Sequence, residues 1–319
     1  MPGPHPKHDV LSIVDLQAEL PGLLARAAAM KAARRAGDPT PSRPGRNLGL
    51  IFEKPSTRTR TSFEVAITDL GGHAIYLSPK DMQLGRGETI ADTARVLSRY
   101  VDAIAYRAFR HADEVELARW ATIPVINALD DREHPCQILA DLLTLYERWG
   151  GRFDGRRLAY IGDGNNVLNS LLLGAAIVGL SFTAAIPEGF RPPADVVASA
   201  TAIARTTGAE LALVDRPAEA AAGADALYTD VWVSMGDEAD AARRERAFAG
   251  YRIDDALVAR AHPEAVVLHD LPAHRGQEIT DAVLDGPRAV VWDQAENRLH
   301  AQKAILEWLL PAPAGPRPT

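Results

Sequence analysis

The chain has 319 residues, with 35 Lys and Arg against 42 Asp and Glu for a formal net charge of −7; that length suits two domains of roughly 150 residues each, and the acidic balance argues against nucleic acid as a partner. A single cysteine, Cys136, excludes an internal disulfide and a cysteine-cluster metal site and suits a reducing cytoplasm. The longest apolar run, LLLGAAIVGL at 171–180, is too short to cross a bilayer, and the opening MPGPHPKHDV has no signal-peptide pattern, so no membrane partner is expected.

In chain order, short strand-like runs alternate with amphipathic helix-like ones, the pattern of parallel α/β units. NLGLIF (47–52), HAIYL, DAIAYR and PVINAL supply the strands of the first half, with helical stretches such as ETIADTARVLSRY separating them. RLAYIGD, SFTAAI, ELALV, ALYTD and AVVLH supply those of the second, and the strand-like pattern runs on to AVVW (289–292). PCQILADLLTLYERWGG (135–151) predicts a long helix that bridges the halves and stops at its glycine pair. The domain boundary is therefore expected near residue 150, with a first domain over 1–150 and a second over 151–319. A last helix is expected over 294–310, packing back toward the first domain, and the proline-rich PAPAGPRPT after it is expected to be disordered. The fold class is α/β: two doubly wound parallel-sheet domains with the active site in the crevice between them.

Ligands of open parallel sheets bind beyond the carboxyl ends of the strands, and there the unusual residues collect. EKPSTRTR follows NLGLIF, Arg107 ends DAIAYR, HPCQ follows PVINAL, GDGNN ends RLAYIGD, DVWVSMG ends ALYTD, and HDLP ends AVVL. Ser56, Thr57, Arg58, Thr59 and Arg60 stand at a helix start, where free N–H groups, hydroxyls and two guanidiniums suit a phosphate; a capped helix with solvated arginines is the alternative. The Gly-Lys pair of a Walker loop is absent. Gly162 and Gly164 after a strand, with Glu188 ending the next, match part of a dinucleotide fingerprint, yet Val167 fills the third glycine position and the two asparagines suit a carboxylate or amide better. His134 and Gln137 flank Pro135 and Cys136, His134 as catalyst or hydrogen-bonded structural residue, Cys136 as a small apolar packing residue. Asp230, with Ser234 and the Met235-Gly236 turn, offers a carboxylate and a hydroxyl to an ammonium, or caps a helix. No HExxH or other metal pattern occurs, so no metal is expected.

Taken together, FEKPSTRTRTSFEVA, DMQLGRGETIADTARVLSRYVDAI, HPCQILADLLTL, GDGNN, DVWVSMG, LPAHRGQEITDAV and AENRLHAQKA closely resemble the ornithine carbamoyltransferases of the aspartate/ornithine carbamoyltransferase family. The likeness covers roughly residues 45 to 310, and DVWVSMG belongs to the ornithine branch and its close relatives. The resemblance implies one domain for carbamoyl phosphate, one for the amino acid, and active sites shared between subunits of a homotrimer or a multiple of trimers. By motif, Ser56, Thr57, Arg58, Thr59 and Arg107 would hold the phosphate, and Arg107, Thr59 and His134 would polarise the carbonyl oxygen. Gln137 and the backbone at Leu271 would fix the carbamoyl amide, Arg298 would complete that pocket, and Gln83 would reach in from the adjacent subunit. Asn166, Asp230, Ser234 and Met235 would bind the amino acid's α-amino and α-carboxylate ends. The implied reaction moves a carbamoyl group from carbamoyl phosphate to the side-chain amine of a diamino acid and requires no cofactor.

One position departs from the pattern. The family's ornithine enzymes read His-Cys-Leu-Pro where this chain reads His269-Asp270-Leu271-Pro272. An alkylammonium has an ordinary pKa near 10.4, so only about one molecule in a thousand is free amine at neutral pH. Asp270 would accept its proton, yet as an anion it would also raise the amine's pKa; with Asp230 close, the two carboxylates would titrate together. Three readings follow: an ornithine enzyme with Asp270 in the cysteine's place, a carbamoyltransferase for another diamino acid such as 2,3-diaminopropionate, or a non-catalytic homologue that keeps the phosphate site.

Overall fold

The structure, a computed structural model, describes residues 7–38, 42–78, 80, 82–84, 86–234 and 238–312. The expectations for Met235 and for most of the proline-rich tail fall outside these residues. The chain divides into two compact units, one of residues 1–143 with 297–319 and one of residues 144–296.

The first unit opens with a 3-10 turn, Ile13–Leu16, and helix α1, Leu20–Arg35. Strand β1 (Asn47–Phe52), α2 (Thr57–Asp69), β2 (His73–Leu77), α3 (Ile90–Leu97), β3 (Ala103–Arg107), α4 (His111–Trp120) and β4 (Val125–Leu129) follow, and α5 (Pro135–Arg148) begins in this unit. The second unit holds β5 (Arg157–Ile161), α6 (Asn166–Val178), β6 (Ser181–Ala185), α7 (Ala194–Thr207), β7 (Leu211–Val214), α8 (Pro217–Ala221) and β8 (Ala226–Thr229). It continues through α9 (Ala241–Phe248), α10 (Asp255–Val258), β9 (Val266–His269) and α11 (Asp281–Leu284) to α12 (Val291–Leu309), whose later turns belong to the first unit.

All nine expected strand segments form, and every pairing among them is parallel. Strands such as β3, buried along its whole length, need both faces covered, which is why AIAYR reads as a near-continuous apolar run rather than an alternation. The sheet orders are β2-β1-β3-β4 and β7-β6-β5-β8-β9. Each order reverses once, between β1 and β3 and between β5 and β8. At such a reversal the following loops leave in opposite directions and open a crevice at the strands' carboxyl ends.

Three expectations change. AVVW is not a strand: only Ala289 bridges to Val267, and α12 starts at Val291, because a single bridge closes the sheet edge before the helix begins. The Gly150-Gly151 pair ends α5, but the two cores part earlier, within α5 at residues 143/144 and within α12 at 296/297. Helix α1 was not expected, although Leu20, Leu23, Leu24, Ala27 and Met30 fall at helical spacing on its buried side and a proline stands in its first turn. Among the described residues, no helix is long and apolar enough to cross a membrane.

Candidate active site

In the first unit the site begins at the amino end of α2. Ser56 is the N-cap, its hydroxyl accepting the Thr59 N–H at 3.2 Å, so the helix starts directly after β1 and presents its first-turn N–H groups there. Thr59 is buried and its Oγ1 accepts from Arg298 Nη2 at 2.9 Å, while Arg298 Nη1 donates to Gln137 Oε1. Gln137 in turn donates from Nε2 to Asp141 Oδ1 at 2.8 Å, so both ends of its amide are engaged. Arg107 ends β3 and His134 immediately precedes α5; both are buried. Burial, then the guanidiniums of Arg298, Arg107 and Arg58, hold the His134 pKa well below the ordinary imidazole range. A neutral imidazole ringed by three cations is arranged to meet an oxygen that carries or develops negative charge.

Arg60 does not join this group. Its guanidinium lies 3.5 Å over the Tyr76 ring and donates from Nε to Glu64 at 2.9 Å, so the helix start contributes one guanidinium, from Arg58, instead of the two expected from the sequence. Thr57 is exposed at the first helical position and Gln83 is exposed in the segment joining β2 to α3. Cys136 is buried with Sγ donating to Asn127 O at 3.3 Å, and burial pushes its thiol up to about 12, as suits a packing residue.

In the second unit, taken by itself, the candidate residues gather at the reversal between β5 and β8 and at the end of β9. Asn165 caps α6, its Oδ1 accepting the Val167 and Leu168 N–H groups at 3.1 Å each, and its Nδ2 donates to Asp230 Oδ2 at 2.7 Å. Asn166, the asparagine expected to bind the amino acid, is the first helical residue and its Oδ1 accepts the Val167 N–H at 3.0 Å. Asp230 Oδ1 accepts the Val231 N–H at 2.6 Å, and Ser234 stands half-buried four residues on. Gly164 is explained by packing: its N–H donates to Phe190 O at 2.9 Å, and a Cβ there would lie 2.2 Å from that oxygen. Glu188 is exposed beyond β6.

His269, wholly buried at the end of β9, takes the Leu271 N–H on Nδ1 at 2.9 Å and meets Glu278 Oε1 from Nε2 at 3.0 Å. Asp270 Oδ1 lies 3.4 Å from the same Nδ1. With Nδ1 accepting, the ring is the Nε2–H tautomer; protonating Nδ1 would trade the Leu271 bond for the Asp270 carboxylate. Burial opposes that cation, but the hydrogen-bonding carboxylates of Asp270 and Glu278 outweigh it and push the His269 pKa up to about 9. Asp230 moves the same way, well above the usual carboxylate range, through burial and then the charge of Asp270. Ligand atoms of Asp230, His269 and Asp270 all lie within 4.8 Å of one another, so the two carboxylates share their immediate surroundings with the His269 ring. Leu271 has φ +61, a left-handed conformation rare for a non-glycine residue and found most often where a site over-determines it.

Two family profiles match successive parts of the chain: the carbamoyl-P binding domain of aspartate/ornithine carbamoyltransferase over residues 8–147, and the Asp/Orn binding domain over residues 154–309. The chain belongs to the aspartate/ornithine carbamoyltransferase family. It is 54% identical over 305 residues to the ornithine carbamoyltransferase of Methanoculleus marisnigri, covering 95% of this chain and 97% of that one. To that of Acidothermus cellulolyticus it is 57% identical over 297 residues, covering 93% and 94%. The solved ornithine carbamoyltransferase of Pyrococcus furiosus superposes with a TM-score of 0.92 at 48% identity, covering 95% of this chain and 97% of that one. That of Gloeobacter violaceus superposes with a TM-score of 0.85 at 51% identity, covering 96% and 99%.

Of the two asparagines read from GDGNN in this carbamoyltransferase chain, Asn165 anchors the Asp230 carboxylate; Glu278, which fixes the His269 ring, was not singled out from the sequence. For Asn165 the signal was present, since an Asn between a strand and a helix is an expected N-cap. Glu278 gave none, because its partner lies nine positions earlier across a loop.

Proposed function

We propose that this chain transfers the carbamoyl group of carbamoyl phosphate to the side-chain amine of ornithine, giving citrulline and phosphate. The observation that carries the reading is the neutral, buried His134 with the guanidiniums of Arg58, Arg107 and Arg298 around it, beside the Ser56-capped start of α2. Attack by the amine nitrogen forms the new C–N bond and a tetrahedral intermediate; cleavage of the bond between the carbonyl carbon and the bridging oxygen then releases phosphate, and the proton taken from the amine is passed on to that phosphate. Stabilising charge on the carbonyl oxygen and on the leaving phosphate is the largest contribution such a site can make.

In this reading Ser56, Thr57, Arg58, Thr59 and Arg107 hold the phosphate, and Thr59, Arg107 and His134 polarise the carbonyl. Gln137, Arg298 and the Leu271 carbonyl hold the carbamoyl amide. Asn166, Asp230, Ser234 and Met235 take the amino acid's α-groups, and Asp270 receives the proton from the attacking amine. Gln83 acts in a neighbouring copy's site, which makes the working species a trimer or a multiple of it, in the cytoplasm. No cofactor enters this scheme. The test is an assay of citrulline and phosphate from carbamoyl phosphate and ornithine between pH 6 and 10: one-to-one formation supports it, and no turnover at any pH rejects it.

Asp270 favours one competing acceptor. A carboxylate reaches farther than a thiol and is set beside Asp230, an arrangement that suits a shorter diamino acid such as 2,3-diaminopropionate. A panel of diamino acids in the same assay decides by which amine has the highest kcat/KM.

A further inference from the structure

His134 follows a loop built on one buried carboxylate. Asp130 Oδ1 accepts the N–H groups of Arg132 and Glu133 at 2.7 Å each, and Oδ2 accepts Asn127 Nδ2 at 2.9 Å and meets His111 Nδ1 at 2.5 Å. The Asp130 N–H donates to Glu133 O at 3.1 Å, closing the loop one residue before His134. The residue before Asp130 is Leu129, whose φ of +152 is strained for a side chain branched beyond Cβ. Leu129 is also the register partner of Arg107: β4 supplies an extra residue between the Tyr106–Asn127 and Arg107–Leu129 pairs, and Leu129 O accepts the Ala108 N–H at 3.0 Å. Bulges of this kind re-aim a side chain at the end of a strand.

The other charged groups of this neighbourhood come from three segments. From α4, Glu114 is wholly buried and held well above the usual carboxylate range by burial and then by Asp130, while His111 is raised chiefly by its hydrogen bond to Asp130. Asp9 comes from the amino-terminal segment; Asp131, Arg132 and Glu133 come from the loop itself, with Asp131 Oδ1 accepting the His111 N–H at 2.7 Å and Glu133 Oε2 accepting that of Ile13 at 3.1 Å. A hub buried at this cost, next to a strained residue, holds something that sequence-local forces would release.

We infer that Asp130 is a positioning residue for the carbamoyl phosphate site: by fixing the strained Leu129 and the loop to Glu133, it sets His134 and Arg107 relative to one another. The inference rests on the reading of those two residues given above. It is tested with the full chain as Asp130→Ala and Asp130→Asn, the latter keeping an Oδ1 for the two loop N–H groups. Asp130→Ala is expected to lower kcat roughly 10²-fold with KM for ornithine unchanged, and Asp130→Asn to recover to within about tenfold of the unaltered protein. In ¹⁵N spectra of histidine-labelled protein, the His134 ring resonances move in Asp130→Ala and return in Asp130→Asn. A folded Asp130→Ala with unmoved resonances and kcat within about threefold overturns the inference, as do equal losses in the two variants. If Asp130→Ala does not fold, Asp130→Ser takes its place under the same criteria: displaced His134 resonances with a lowered kcat support the inference, and unmoved resonances with kcat within about threefold overturn it. If the unaltered protein makes no citrulline, the functional reading fails and the spectra alone judge the positioning.

Discussion

Arg298 donates to Thr59 Oγ1 at 2.9 Å and, through its other terminal nitrogen, to Gln137, so one side chain of α12 ties the first turn of α2 to that of α5. Only a planar fork can serve both acceptors at once; a lysine ammonium on its flexible stem satisfies one and leaves the other buried. Arg298→Lys is therefore expected to lower kcat/KM for carbamoyl phosphate about 10²-fold, with KM for ornithine little changed. Steady-state kinetics with each substrate varied in turn measures this, and a loss confined to ornithine would contradict it.

The two arginines of STRTR should separate cleanly. Arg58 contributes its charge to the surroundings of His134, whereas Arg60 is committed to Glu64 and the Tyr76 ring. Removing a cation aimed at developing charge costs about 10²-fold or more, so Arg58→Ala should fall by that order while Arg60→Ala stays within about threefold. Comparable losses in both would show that Arg60 acts on the substrate.

The pH dependence of kcat/KM should carry no limb from His134 near neutrality, because burial and three guanidiniums hold its pKa well below the ordinary imidazole range. The rising limb belongs to the acceptor amine, and an anionic Asp270 beside it moves that limb upward. Asp270→Cys should shift the limb toward lower pH and favour ornithine over other diamino acids at pH 7. An unshifted limb would remove Asp270 from the amine's surroundings.

His269 gives a stability signature. Its folded pKa is pushed up to about 9 from an ordinary 6.5, with the carboxylates of Asp270 and Glu278 outweighing burial. A raised pKa means the folded state binds the proton more tightly, so this contribution is complete below pH 6.5 and is lost as pH rises through about 9. Melting temperatures taken from pH 6 to 10 should fall more steeply for the unaltered protein than for Glu278→Gln, which removes one of the raising charges. Parallel curves would show that His269 does not titrate in this range.

The nine strands were legible because the buried parallel strands must be short apolar runs, the half-buried edge strands β2 and β7 keep a similar run, and each is followed by polar residues at its carboxyl end. The same logic located Ser56, Arg107, His134, Asp230 and Asp270 on strand ends or helix starts. That Asn165 anchors Asp230 was not legible: its place between a strand and a helix marks it as an N-cap, but its carboxylate partner lies 65 positions later. Arg58 and Arg60 part for a helical reason, since two residues along a helix is about half a turn of rotation.

By itself, the sequence determined the α/β architecture, the run of chemistry-bearing motifs and the presence of a carboxylate at residue 270, all of which follow from local periodicity and residue type. What only the tertiary structure decided is which charges face one another. His134 becomes a neutral imidazole because packing buries it and then sets the charge of Arg298, more than 160 positions later, near it. His269 becomes a basic one because Glu278 and Asp270 enclose it in a site from which water is excluded. The ionisation of a buried group depends on distances in space, and those are set by packing that no linear spacing records.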